Sequence, residues 1–191
     1  MGNKICHCDS QTRNYAVILS PTTILGMYVI TRTVSSDHRG TFTRIFDAEE
    51  FSRHGLCASF EQFAVSGNLV RGTLRGLHFQ ADPLDEVKIV RCVKGLIFDV
   101  VVDIRQDSPT RGEYFSLTLC ASDDRLLYIP QGCAHGYVTL EDDVQLEYLI
   151  SAPYRPASAR GIHWKSPSLA IPWPIEPAVI SEQDCTWPEF L

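Results

Sequence analysis

Residues 71–80 read RGTLRGLHFQ, which sets Arg75 and His78 three apart between glycines and next to Phe79 and Gln80. A histidine in such a setting can take a proton near neutral pH, because an unperturbed imidazole has a pKa of about 6.5. Lys88 alternates with Val87 and Ile89 in an apolar run. Its ammonium therefore projects to the opposite face, and if that face is interior it is a charge held ready for an anion. Tyr148 stands between Glu147 and Leu149, so its phenol points away from both and can serve as a neutral proton donor. Each residue also has a plainer reading: a satisfied histidine on a sheet face, a solvent-facing lysine, a core tyrosine. Alternation alone does not separate the two readings.

The same residues argue against a metal. Where a paired His-x-His ligand set would need a second histidine, His78 is followed by Phe79 and Gln80. His135, in PQGCAHGY, has no partnering carboxylate nearby in sequence, and one or two histidines alone make a poor site. Cys6, His7 and Cys8 form a cluster without the second, spaced pair that a tetrahedral site draws on.

The elements that must position these groups are mostly strands. Runs at 61–65, 87–93, 96–104, 114–120, 125–129, 133–139 and 144–150 have β character. They are separated by turn chemistry such as Lys94-Gly95, Ser108-Pro109, Pro130-Gln131-Gly132 and Glu141-Asp142-Asp143. Short, evenly spaced strands without intervening helices predict an all-β antiparallel sandwich or jelly-roll barrel, not a parallel α/β fold. One helix is signposted by Asp47 with Glu50 three residues later, a capping-box pattern, and by Gly55 at its end. The proline-rich tail from Pro153 is expected to be irregular, with at most a short helix, anchored by Trp164 and Trp173.

Composition bounds the rest. The chain has 191 residues, 45% hydrophobic and 21% charged, which suits one globular domain over 1–191 with no low-complexity linker. A net charge of −6 advertises no basic face for a nucleic acid backbone. The apolar stretch 15–30 is broken by Ser20, Pro21 and Gly26, so no membrane anchor is expected. No leader peptide is evident either, and the expectation is a cytoplasmic protein. The seven cysteines read as free thiols, with Cys92, Cys120 and Cys133 acting as small buried hydrophobes.

Seven segments taken in order, from DHRGTF at 37–42 through RGLHFQ, the lysine of EVKIVRCVKG, FDVVVDIRQDSPT, IPQGCAHGY and LEYLIS to the GIHW…IPWP stretch, cover nearly the whole core. Together they resemble the dTDP-4-dehydrorhamnose 3,5-epimerase family of nucleotide-sugar epimerases. The resemblance implies a jelly-roll cupin, usually a homodimer, that needs neither metal nor organic cofactor. It also implies a nucleoside-diphosphate 4-keto-6-deoxyhexose as substrate, in making a deoxysugar for a surface polysaccharide or secondary metabolite. Carried over by position, His78 would be the base, Lys88 the cation near the enolate oxygen and Tyr148 the acid on the other face. Arg75 would hold the sugar or its phosphate and Arg39 the diphosphate, while Phe42, Gln62, Gln80, His135 and Trp164 would complete the substrate site.

Three positions depart from the family pattern. Ser166 stands where the resemblance places an aspartate partner for the base, which predicts a weaker base and puts double epimerisation in question. Arg44 replaces a glutamate near the nucleotide base, and Ala64 replaces an asparagine. Two other readings remain: a ketoisomerase, which also enolises next to a carbonyl, and a sugar-nucleotide binder whose chemistry has lapsed.

Overall fold

A computed structural model describes residues 17–191, and Cys6, His7 and Cys8 lie outside the described residues. With strands numbered in chain order, one antiparallel sheet runs β1 (Ile18–Pro21), β2 (Tyr28–Thr31), β10 (Arg125–Ile129), β7 (Lys88–Lys94), β12 (Val144–Ile150), β5 (Gln62–Asn68). The second runs β13 (Ala159–Gly161), β6 (Leu74–Gln80), β11 (Cys133–Thr139), β8 (Leu96–Asp103), β9 (Tyr114–Cys120). A separate hairpin pairs β3 (Val34–Asp37) with β4 (Gly40–Thr43).

The two sheets close on an apolar core. Val90, Cys92, Leu127, Ile129 and Leu146 from the first meet Ile97, Val101, Leu119, Cys133 and Tyr137 from the second. In β8 the run is apolar apart from Asp99 and Asp103 because both faces are covered: Ile97 and Val101 face inward, while Val100 and Val102 pack under the tail with Ile162 and Leu169. The outer face of the larger sheet is covered in turn by α1 (Ala48–Arg53), whose Phe51 is buried among Ile30, Ile89, Leu126 and Tyr128. No helix among the described residues is long and apolar enough to cross a membrane.

The architecture is the expected antiparallel one, and β9 to β12 fall on the predicted bounds. The sequence reading missed β1 to β4, which are four residues each; β1 and β4 are largely exposed, β3 is half exposed and β2 buries only Ile30, so neither length nor alternation marks them. It also missed β6 as a strand, for a reason that belongs to the site below. The tail holds the short helix that was expected, α2 (Glu182–Thr186), and adds the three-residue strand β13, which was not. In α1, Asp47 accepts from the N–H groups of Glu49 and Glu50, both at 3.1 Å, and Gly55 has φ +70° as a left-handed terminator. The reciprocal half of the capping box does not form, because Glu50 pairs with Arg53 and His54 instead. Cys92 and Cys133 are buried and Cys120 is half-buried, and all five described cysteines are free.

Candidate active site

Arg75 and His78 are three residues apart, and in a regular strand they would face opposite sides. The register of β6 against β11 shifts between them: His78 pairs with His135, and Arg75 with Tyr137, two inward residues that are themselves two apart. The shift turns Arg75 and His78 to the same inner face, and the broken alternation hid β6 in the sequence. Two glycines allow it. A Cβ on Gly76, whose φ is +126°, would stand 2.6 Å from Gly136 Cα and 2.8 Å from the His135 carbonyl oxygen.

His78 lines three adjoining cavities of about 250, 240 and 440 Å3. Its Nε2 lies 2.6 Å from Oδ1 of Asp184, a residue of α2 that is almost wholly buried. Ser181 caps that helix by accepting from the Asp184 N–H. The carboxylate also accepts from the Gly76 N–H through Oδ2 and from Trp187 Nε1 through Oδ1. Burial alone would raise its pKa, but the hydrogen bond and charge of His78, with those two N–H donors, hold it below the usual carboxylate range.

This corrects the expectation for Ser166. Ser166 is buried in the tail, where its hydroxyl donates to the His163 carbonyl and accepts from the Phe190 N–H, and it has no contact with His78. The imidazole has a carboxylate partner after all, supplied 106 residues downstream. Trp164 is likewise outside the cavity: it packs edge-on against Trp173 at 6.2 Å, and its carbonyl accepts from the Trp173 indole. Trp164 packs within the tail and does not line the site, Trp173 meets Phe98 of β8, and the tryptophan at the cavity wall is Trp187.

The opposite sheet supplies Lys88, Tyr148 and Gln62, all facing inward. Lys88 Nζ is 2.8 Å from Glu86 Oε1 and 3.4 Å from the His78 carbonyl, so the cation is held beside the histidine strand. Tyr148 shares the 240 Å3 cavity with His78, Lys88, Arg75 and Ala64. Burial, with Tyr137 and the Asp99 carboxylate nearby, pushes its phenol well above the usual tyrosine range, so it is protonated at neutral pH. Its ring meets His135 edge-on at 6.1 Å. His135 Nε2 in turn lies 2.9 Å from Asp99 Oδ2, a second imidazole–carboxylate pair, in this case fully buried. Arg75 donates to Asn68 Oδ1 at 2.8 Å, and that oxygen also accepts from the Tyr137 hydroxyl.

Gln80 is at the wall, but its amide is committed to the protein. Nε2 donates to Glu86 and Oε1 accepts from the Arg155 N–H, so it positions the partner of Lys88. Arg39 and Phe42 stand apart on the β3–β4 hairpin, around a separate cleft of about 270 Å3 in which Arg39 is paired with Asp37. Arg44 is paired with Asp47 at the start of α1. Asp184, Trp187, Glu86 and Asp99 were missed in the sequence. Only a cap pattern, Ser181 followed three residues later by Asp184, and an acid at position 99 within an apolar run signalled any of them.

A double-sheet antiparallel barrel whose cavity is lined by an imidazole–carboxylate pair, a fixed cation and a neutral phenol is a fold of the cupin kind. The profile of the dTDP-4-dehydrorhamnose 3,5-epimerase family matches residues 21–191, and the chain belongs to that family. It is 39% identical over 155 residues to a dTDP-4-dehydrorhamnose 3,5-epimerase of Sinorhizobium fredii, covering 81% of this chain and 80% of the relative. Among solved structures it is similar to a dTDP-4-dehydrorhamnose 3,5-epimerase from Bacillus anthracis with TDP and PPi bound. That match has a TM-score of 0.88 and 33% identity, over 92% of this chain and 100% of the other. A 4-keto-6-deoxy sugar epimerase from Streptomyces spheroides matches with a TM-score of 0.85 and 35% identity, over 91% and 87% of the two chains.

Proposed function

We propose that this protein epimerises a dTDP-linked 4-keto-6-deoxyhexose at C3, C5 or both, in deoxysugar biosynthesis. The observation that carries the reading is one cavity with His78 on one sheet and Tyr148 on the other, lined by Lys88 as well. The C4 carbonyl acidifies the neighbouring C–H. His78 takes that proton, the C–H electron pair forms the enolate, and the negative charge grows on the carbonyl oxygen, where Lys88 stabilises it. Tyr148 then gives a proton to the same carbon from the opposite face, which inverts the centre, and is reprotonated from solvent. Asp184 keeps the His78 Nε2 proton in place, leaves Nδ1 as the basic atom, and stabilises the imidazolium that forms.

Arg75, Gln62 and His135 hold the sugar on this reading, and Arg39 and Phe42 serve the diphosphate and base. The hairpin that stands apart from the cavity, and Phe63 and Val65 exposed on the edge strand β5, support a homodimer on this reading. The free thiols suit a reducing, cytoplasmic compartment. Replacing His78 by Ala tests the reading. Turnover of dTDP-4-keto-6-deoxyglucose should disappear while dTDP affinity is kept, whereas a wild-type protein that binds the sugar nucleotide without turnover would be a binding module.

A further inference from the structure

Gly161 on β13 is the register partner of His78 on β6, and the Trp187 indole fills the space above it. A Cβ at position 161 would stand 2.5 Å from Trp187 Cε2, while the Gly161 backbone itself lies outside the left-handed region. The glycine is therefore required by the indole and not by its own conformation. From this seat Trp187 Nε1 donates at 3.1 Å to Asp184 Oδ1, the same oxygen that receives His78 Nε2, and the ring packs edge-on against the imidazole at 6.5 Å. With Gly76 N–H on Oδ2 and Ser181 capping the helix, the carboxylate is fixed from three directions.

We propose that Trp187, seated by Gly161, is a positioning residue that aims the Asp184 carboxylate at His78 and limits how tightly that carboxylate holds the protonated imidazole. An N–H donor drawn onto Oδ1 withdraws charge from the acceptor of His78, so the imidazolium is stabilised less and the base regenerates more readily. The inference rests on the reading of His78 as the base. The other charged and titratable groups lining the same cavities are Arg75 on its own strand, Glu86 just before β7, Lys88 on β7, His135 and Tyr137 on β11, Tyr148 on β12, Tyr154 after it and Arg160 on β13.

The test compares wild type, Trp187→Phe and Gly161→Ala. Phe keeps a ring and loses the N–H; the alanine methyl keeps the indole and displaces it. Deuterium exchange into dTDP-4-keto-6-deoxyglucose, followed against pH, should show the acid limb moved up by about half a pH unit in Trp187→Phe. The maximal rate should fall a few-fold with KM nearly unchanged. Gly161→Ala should reproduce the shift, and the double variant should add nothing to either. Should Gly161→Ala fail to fold, Trp187→Phe carries the test alone. An unmoved acid limb together with an unmoved His78 ring midpoint, or an effect on KM only, overturns the proposal. An NMR titration of the His78 ring in the free protein separates the two readings. If the ring midpoint rises in Trp187→Phe and the exchange limb does not follow, the Trp187 relation holds and His78 is not the base. If the ring midpoint stays put, the Trp187 proposal fails whatever the activity does.

Discussion

Nε2 of His78 and Oδ1 of Asp184 stand 2.6 Å apart although 106 residues separate them in the chain. The pairing depends on a register shift in β6 that turns His78 inward and on a five-residue helix in the tail that brings the carboxylate back over it. Asp184→Asn keeps the side chain's shape and removes its charge, so kcat should fall on the order of 10² to 10⁴-fold. Ser166→Ala breaks two hydrogen bonds remote from the cavity. It should cost about 1 to 2 kcal/mol of stability and leave kcat of the folded protein unchanged. Steady-state kinetics and thermal denaturation of the two variants check both statements.

Tyr148→Phe separates the two proton transfers. With the phenol gone, His78 can still remove the proton and return one from the same face, so deuterium should enter the substrate while inverted product falls by at least 10²-fold. Loss of exchange and inversion together would place Tyr148 on the abstraction side. NMR of substrate and product recovered from heavy water gives both quantities in one experiment.

Lys88 and Glu86 are a nearly buried pair at 2.8 Å, with side chains only 10% and 11% exposed. Removing one partner of such a pair leaves an uncompensated charge. Lys88→Met should destabilise the protein by about 3 kcal/mol, and adding Glu86→Gln should recover most of it. Activity should not return with stability, because the enolate still lacks its cation. Denaturant titration beside kcat for the single and double variants distinguishes a structural lysine from one that also serves the reaction.

Asp103 and Asp184 have folded-state pKa values below the ordinary aspartate value of about 3.9. For Asp103, burial works against ionisation, but donors from Arg105, Ser108 and Thr110 outweigh it. A depressed carboxylate contributes stability that is fully present above its unfolded pKa and is lost as pH falls through the folded one. Stability should therefore hold from neutral pH down to about 5 and then decline steadily into acid. Asp103→Asn should flatten that decline, as read from denaturant midpoints at a series of pH values.

The parts of the fold that were legible were those where both faces of a strand are buried or where turn residues bracket it. β10 and β11 are buried along nearly their whole length, β9 and β12 mix apolar with polar positions, and all four sit between Gly, Pro and Asp turns. His78, Lys88, Tyr148, Arg75 and His135 were legible as site candidates, and the structure brings all five to one cavity. What stayed hidden depends on tertiary proximity: β6 because its shift breaks the period of two, and Asp184 and Trp187 because nothing near them in sequence announces a histidine. Ser166 was misread because position along a tail says little about which tail residue folds back over the barrel mouth.

The central claim is that this cavity enolises a 4-keto sugar. Incubation with dTDP-4-keto-6-deoxyglucose in heavy water, with deuterium located by NMR, tests it most directly. The account predicts deuterium at C3, C5 or both with wild-type protein and none with His78→Ala. No deuterium at either carbon with the wild type, or undiminished label with His78→Ala, would contradict it.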